Sequence, residues 1–105
     1  MSQIIENWSD IIGQVQEIGS YPDLIDFDFV DILVERVDPV EGYPDLVAIY
    51  LSEAAEPRLS VLMPAQLITE YHIETGVLIE CRVRRAGPDR ILVHRKHIIV
   101  RRTVE

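Results

Sequence analysis

The sequence contains one cysteine, Cys81, among its 105 residues. A single cysteine excludes an intramolecular disulfide and any zinc site built from several cysteines, and it leaves only a bridge to another chain open. Apolar runs such as those at 32–34 and 98–100 are far shorter than the roughly 20 residues of a membrane-spanning helix. The first residues have neither a cationic start nor a continuous apolar block, so we expect no signal peptide and a cytoplasmic protein.

Motifs that carry catalysis or metal binding are also missing. The chain has no glycine-rich phosphate loop, no Gly-x-Ser-x-Gly and no His-Glu-x-x-His, and its many acids lack the spacing of a calcium loop. His94 and His97 are three residues apart in a predicted strand, so their side chains should point to opposite faces unless a bulge intervenes. We therefore predict a protein that is not an enzyme and that holds no metal and no cofactor.

Positive charge is scarce in most of the chain. Residues 1–80 include two basic and 16 acidic residues, whereas residues 81–105 include eight basic and two acidic ones. The net charge is therefore −14 in the first part, +6 in the second and −8 over the whole chain. Such an asymmetry indicates a polyanionic partner, an acidic partner surface or self-association.

What the chain does have is an ordinary globular composition. Apolar residues make up 48% of it and charged residues 27%, which argues against disorder. A chain of this length fits one domain, because domains usually contain about 50–200 residues. We predict a single domain that spans residues 1–105.

The apolar residues near the N-terminus follow a helical spacing. They are Ile4, Ile5, Trp8, Ile11, Ile12, Val15 and Ile18. This spacing places them on one face of an α-helix. Ser2 is suited to cap the start of this helix, and Gly19 is suited to end it. We predict an amphipathic helix over residues 1–19 that packs on the rest of the domain or binds a partner.

The remaining chain has the patterns of a mainly β, α+β domain. Predicted strands cover 26–38, 46–51, 59–63, 77–84 and 90–102, and Pro64 opens a short helix between the third and fourth strands. The tetrapeptide Tyr-Pro-Asp-Leu occurs at 21–24 and 43–46, where we predict the same turn chemistry twice. Cys81 has the parity of Ile79 and Val83, which predicts a buried core residue.

This order of elements resembles the OB-fold, a five-stranded Greek-key barrel with a helix between its third and fourth strands. The resemblance lies in Leu59–Lys96, in the strand L-S-V-L-M, the helix P-A-Q-L-I-T-E-Y and the segments G-V-L-I-E-C-R-V and I-L-V-H-R-K. It implies an antiparallel OB-like barrel over residues 26–102, with the N-terminal helix as an addition. Members of the family commonly bind single-stranded nucleic acid, although a fold does not determine a function. Another small barrel or an open antiparallel sheet remains an alternative.

The basic residues of the C-terminal hairpin are the candidate partner-binding site. They are Arg82, Arg84, Arg85, Arg90, Arg95, Lys96, Arg101 and Arg102. Guanidinium groups suit phosphates and carboxylates because they donate two parallel hydrogen bonds. The alternative is a solvated face that neutralises the acids of residues 23–45 and protects an edge strand. A four-residue turn would place Glu80 opposite Arg95, and a shift of one residue would place it opposite His94.

Aromatic residues, which single-strand binders use to stack on bases, are few. They make up 7% of the chain, and none follows Tyr71, so the basic hairpin has no ring of its own. We therefore predict a non-catalytic binding module, an adaptor or accessory subunit that docks another protein through charged faces. Single-stranded nucleic-acid binding by the hairpin is the alternative, and a homo-oligomer stays open.

Overall fold

The computed structural model describes residues 6–88 and 90–101. Ser2, the predicted cap, and Arg102, one of the predicted site residues, lie outside these ranges. The described chain forms five strands and two helices: β1 Ser9–Ser20, β2 Phe27–Pro39, α1 Leu46–Glu53, β3 Arg58–Pro64, α2 Ala65–Glu70, β4 Leu78–Gly87 and β5 Arg90–Arg101. No helix in these ranges has the length and apolar character needed to cross a membrane.

The five strands close into a ring in the order β1-β2-β3-β5-β4. Four of the neighbouring pairs are antiparallel, but β3 and β5 are parallel and pair at Val61 with Ile91 and at Leu62 with Leu92. The predicted fully antiparallel sheet is therefore wrong in one place. The sheet is mixed because β5 folds back against β4 and then lies beside β3 in the same direction.

The predicted N-terminal helix is wrong, because residues 9–20 form β1 between β2 and β4. The inward positions of this strand begin with Ser9, Ile11, Gly13 and Val15, and all four are buried. Two of these four residues are not large and apolar, so the alternation of a strand is hidden in the sequence. Ile12 lies on the outward side of the strand, and Ile18 follows a bulge between Val15 and Glu17. The two residues therefore complete a helical spacing by chance.

The predicted second strand at 46–51 is also wrong, because this segment belongs to α1. The carboxylate of Asp45 caps the helix and accepts a hydrogen bond from Ala48 N at 3.0 Å. The same carboxylate accepts from Ser9 Oγ at 2.5 Å, which ties the helix to the start of β1. Val47 is fully buried, so α1 contributes to the core at this end of the ring.

The predictions for the middle of the chain are confirmed. The strand before Pro64 is present, α2 follows it, and β4 and β5 form a hairpin. A backbone hydrogen bond from Ala65 N to Asp26 O and another from Gly76 N to Val15 O hold the α2 segment at the other end of the ring. Gly76 has φ +97°, a conformation that favours glycine at the turn into β4.

The core fills the inside of the ring. Its fully buried members come from every strand, and they include Ile11, Val15, Val30, Ile32, Leu59, Val61, Met63, Ile79, Val83 and Ile91. Cys81 is buried among them, as the sequence predicts. Desolvation raises the pKa of its thiol to about 12, so this cysteine stays protonated in the folded protein.

Candidate binding surface at the bulge of β5

The hairpin of β4 and β5 contains a wide bulge. Cys81 pairs with Ile98, and the next pair along β4 is Val83 with Val93. A single residue of β4 therefore faces residues 94–97 of β5. Strict alternation from Val93 would carry the side chains of 95 and 97 into the interior. The bulge changes this parity, so that Ile98 packs in the core and the basic and histidine side chains stay outside. We call His94–His97 the β5 bulge.

The bulge also explains why the predicted register of the hairpin is wrong. Both registers predicted from the sequence place Glu80 opposite the bulge, at Arg95 or His94, whereas Glu80 pairs with Ile99. Each of them assumes an unbroken ladder of pairs. The apolar residues that must face the core set the true register.

Three rings and one guanidinium group gather at the bulge. The ring centre of His94 lies 5.1 Å from that of Trp8 and 4.4 Å from that of His97, with the two histidine rings edge to face. The Arg84 guanidinium carbon lies 6.0 Å from the centre of the Trp8 ring. We call Trp8, Arg84, His94 and His97 the Trp8 cluster. It gives the basic hairpin the aromatic ring that its own sequence lacks.

The surroundings of His94 disfavour its protonated form. Burial lowers the pKa of His94, and the nearby charges of His97, Arg82 and Lys96 lower it further. Its Nδ1 accepts a hydrogen bond from the backbone N–H of Lys96 at 3.2 Å. The neutral imidazole therefore helps to hold the backbone of the bulge in place.

A groove of about 320 Å³ lies beside the bulge, on the outer face of β1 and β4. It is lined by the apolar side chains of Ile12 and Ile99, and Ile99 is 55% exposed. Lys96 and His97 line the groove on the side of the bulge. The groove thus combines an apolar surface with an adjacent basic one.

The acids around this groove are already paired with arginines. Arg82 Nε donates to Asp10 Oδ1 at 2.9 Å, and Arg82 Nη2 donates to Asp10 Oδ2 at 3.3 Å. The hydrogen bond to Asp10 raises the pKa of Arg82 and keeps the guanidinium charged. Farther along the groove, Arg101 Nη2 lies 2.8 Å from Glu80 Oε2. The acids near the groove therefore add little net negative charge to it.

Four of the predicted site residues lie near this surface. Arg82 and Arg101 take part in the ion pairs just described, Arg84 lies over Trp8, and Lys96 lines the groove. The two ion pairs are partly exposed, so each contributes at most about 1 kcal/mol to stability.

The other predicted residues lie elsewhere. Arg85 extends over the ring of Tyr50 in α1, with its guanidinium carbon 5.2 Å from the ring centre. Arg90 pairs with Gly87 at the turn of the hairpin. Arg95 lines a second depression, of about 450 Å³, beside Ile25. The seven of these residues that the structure describes thus do not form one continuous patch.

Sequence reasoning missed the contribution of the N-terminal segment to this surface. Trp8, Asp10 and Ile12 reach the surface because β1 pairs with β4, at Asp10 with Arg82 and at Ile12 with Glu80. The prediction of a helix over this segment hid the pairing. No local signal in the sequence connects these residues with a hairpin some 70 positions later.

The bulge brings His94 and His97 together, but no group of three or more metal-ligating side chains gathers anywhere in 6–88 and 90–101. Comparison of the chain with protein-family models, with curated proteins and with solved structures found no match. The chemistry of this surface is therefore the basis of the functional proposal.

Proposed function

We propose that the chain is a non-catalytic binding module, an adaptor or accessory subunit that docks an acidic segment of another protein on the β5 bulge and the adjoining groove. The observation that carries the proposal is the distribution of charge. Asp10 and Glu80 are paired, whereas Arg84 and Lys96 have no ion-pair partner among the residues that the structure describes. Carboxylates of a partner would meet two cations with which no described carboxylate forms an ion pair, although the Glu6 carboxylate lies nearby and accepts from Trp8 Nε1 at 3.4 Å.

The lining of the groove supports a protein partner. Ile12 and Ile99 offer an apolar contact area, and polar and ionic groups surround it. Protein interfaces commonly combine a central apolar patch with a polar rim. A strand or loop of a partner with both apolar and acidic side chains fits this lining better than a chain of phosphates does.

We further propose that the scaffold is an OB-like barrel. The strand order, the ring closure between β3 and β5 and the position of α2 agree with that architecture. In that fold the second and third strands and the loops beside them commonly hold the ligand. In this chain Asp28 lies on β2 and the loop before β2 adds Asp23 and Asp26, whereas Asp31 of β2 is paired with Arg58. These acids disfavour a polyanion there and support docking at the bulge instead.

The only tryptophan of the chain makes the proposal testable. Trp8 belongs to the surface, so a ligand that docks there should change its fluorescence. We expect a blocked glutamate-rich peptide to produce a saturable change, and Lys96→Glu to weaken the binding by about tenfold or more because it removes a cation and adds an anion. Arg58→Glu is the matched control, because it changes the net charge equally at β3 and should alter the affinity by less than about twofold.

Two results would contradict the proposal. One is a peptide affinity that falls equally in Lys96→Glu and Arg58→Glu, which would indicate a general charge effect. The other is the absence of any saturable change in Trp8 fluorescence at low salt, where charge attraction is strongest.

Single-stranded nucleic acid is the second candidate, and one observation favours it. Trp8 lies beside Arg84 and His94, so that a ring and a cation are available where a base could stack. An oligothymidylate titrated in the same assay decides between the two. Binding of the oligonucleotide with a steep dependence on salt, together with no binding of the peptide, would favour the nucleic acid.

A further inference from the structure

The second half of β5 has an open edge. On one side, the last four residues of β5 pair with Leu78–Cys81 of β4. On the other side, β5 meets β3 only at Ile91 and Leu92, before the bulge. No backbone hydrogen bond joins Ile98–Arg101 to a further strand in the described part of the chain. Alternate residues of this segment therefore direct their N–H and C=O groups away from the sheet.

The composition of this edge suits the addition of a strand. Ile98, Ile99 and Val100 are β-branched, and β5 continues to Arg101 without a further bulge. An exposed apolar edge strand is a template for pairing with another chain. Another open edge, at Glu17–Ser20 of β1, has one β-branched residue and a glycine, which make it a weaker template. The edge of β5 is thus the better template of the two.

Charge selects the partner of this edge. Lys96 precedes the open segment and Arg101 ends it, so a second copy of β5 would bring like charges together. An acidic strand would place carboxylates beside Lys96, which has no ion-pair partner among the described residues, and beside Arg101, which Glu80 already neutralises in part. The outward face, with His97, Ile99 and Arg101, complements a strand with an acidic, an apolar and an acidic residue at alternate positions.

We propose that Ile98–Arg101 receives an extended acidic segment of a partner protein as an added strand of the sheet. This inference rests on the proposed function, and it specifies how the acidic partner is held. Backbone hydrogen bonds to the edge provide affinity, an apolar side chain of the partner packs on Ile99, and two acidic side chains flank it.

The test uses a blocked peptide with the core Glu-Thr-Val-Thr-Glu between serines, titrated into the whole protein. We expect Trp8 fluorescence to report binding, and amide hydrogen exchange of Ile98–Arg101 to slow by about tenfold or more at alternate residues. Ile99→Lys should weaken binding by about tenfold, and Ile99→Thr, which keeps a β-branched residue, should weaken it less. A peptide with Lys in place of both glutamates should not bind.

Removal of backbone donors separates this inference from the proposed function. Two further peptides carry N-methyl groups on alternate residues, each in one of the two phases. Strand addition requires that one phase abolishes binding and the other does not, because only one set of amides faces the edge. If both bind equally, or if the edge amides gain no protection, strand addition is wrong while acidic docking stands. If the unmodified peptide and a glutamate-rich peptide both fail to bind, the proposed function itself is wrong.

Discussion

Gly13 is a residue at which the backbone of β1 comes close to β2. A Cβ atom at this position would lie 2.6 Å from Ile32 Cγ2 and would also collide with the carbonyl oxygen of Leu33. The carbonyl belongs to the backbone of the neighbouring strand and cannot move aside cheaply. We expect Gly13→Ala to lower the free energy of unfolding by about 1–3 kcal/mol, as measured by urea denaturation.

Gly87 offers a matched control for this substitution. A Cβ atom there would meet only Arg90 Cβ, at 3.6 Å, which is an ordinary van der Waals distance. Gly87→Ala should therefore change the free energy of unfolding by less than about 0.5 kcal/mol. Equal losses in the two variants would show that the close approach at Gly13 does not limit stability.

Asn7 also has a structural role that the sequence does not reveal, and this role belongs to its side-chain amide. It is buried, its Nδ2 donates to Arg85 O at 2.9 Å, and its Oδ1 accepts from Arg85 N at 2.8 Å. The amide thus takes the place of a backbone partner where the pairing of β1 with β4 ends.

Removal of this amide should leave both backbone groups of Arg85 without their partner. We expect Asn7→Ala to cost about 1–3 kcal/mol, because buried polar groups that lose a hydrogen bond are expensive. Amide hydrogen exchange at Arg85 should accelerate more than exchange at Ile79, in the middle of the same strand. Uniform acceleration along β4 would mean that Asn7 stabilises the fold without holding this site.

At the scale of the element, prediction from sequence succeeded where the local signals agree with one another. Pro64 opens α2, Gly76 ends the turn after it, and the alternation from Val77 to Val83 defines β4. Each of these signals acts over a few residues and needs no knowledge of distant contacts. The helix between the third and fourth strands was predictable for this reason.

Prediction failed where the local pattern is compatible with two structures. The tetrapeptide Tyr-Pro-Asp-Leu precedes β2 in one place and enters α1 in the other. The second copy enters a helix because Asp45 caps it and Ser9 holds Asp45, and Ser9 is remote in the sequence. A short apolar run such as 46–51 is typical of both a buried strand and a buried helix. Tertiary contacts decide between them.

The bulge of β5 should make stability depend on the protonation of His94. Its pKa is lowered in the folded protein, so the unfolded chain takes up the proton first as the pH falls. Stability should therefore decrease as the pH falls through the ordinary histidine pKa of about 6.5. The free energy of unfolding, measured between about pH 7.5 and 5.5, checks this.

A variant at position 94 isolates the effect of this one group. His94→Asn keeps an acceptor for the Lys96 N–H but does not titrate, so we expect it to lose less stability over the same pH range. All other titrating groups are common to the two proteins. A pH dependence that is unchanged in the variant would show that His94 titrates alike in the folded and unfolded states.

At the scale of the whole molecule, the candidate site depends on topology. One alternative predicted from the sequence was that the arginines of the hairpin neutralise the acids of residues 23–45. In the described part of the chain two of them, Arg82 and Arg101, pair instead with Asp10 and Glu80, while Asp31 and Asp38 pair with Arg58 and Arg36. These partners follow from the order of strands in the ring, which places β4 between β1 and β5. Composition revealed the excess of charge in the hairpin, but only the ring closure determines which cations remain unneutralised.

The closed ring also determines how Cys81 becomes accessible. Its thiol lies in the core between Ile11 of β1 and Ile98 of β5, and burial raises its pKa to about 12. A thiol reagent should therefore modify only molecules in which the ring has opened. If opening is global, Gly13→Ala, which destabilises the pair β1–β2, should raise the modification rate by roughly five- to 150-fold, as expected for 1–3 kcal/mol. A rate that is equal in the two proteins would show instead that Cys81 is reached by local separation of β4 from β5, with the rest of the ring intact.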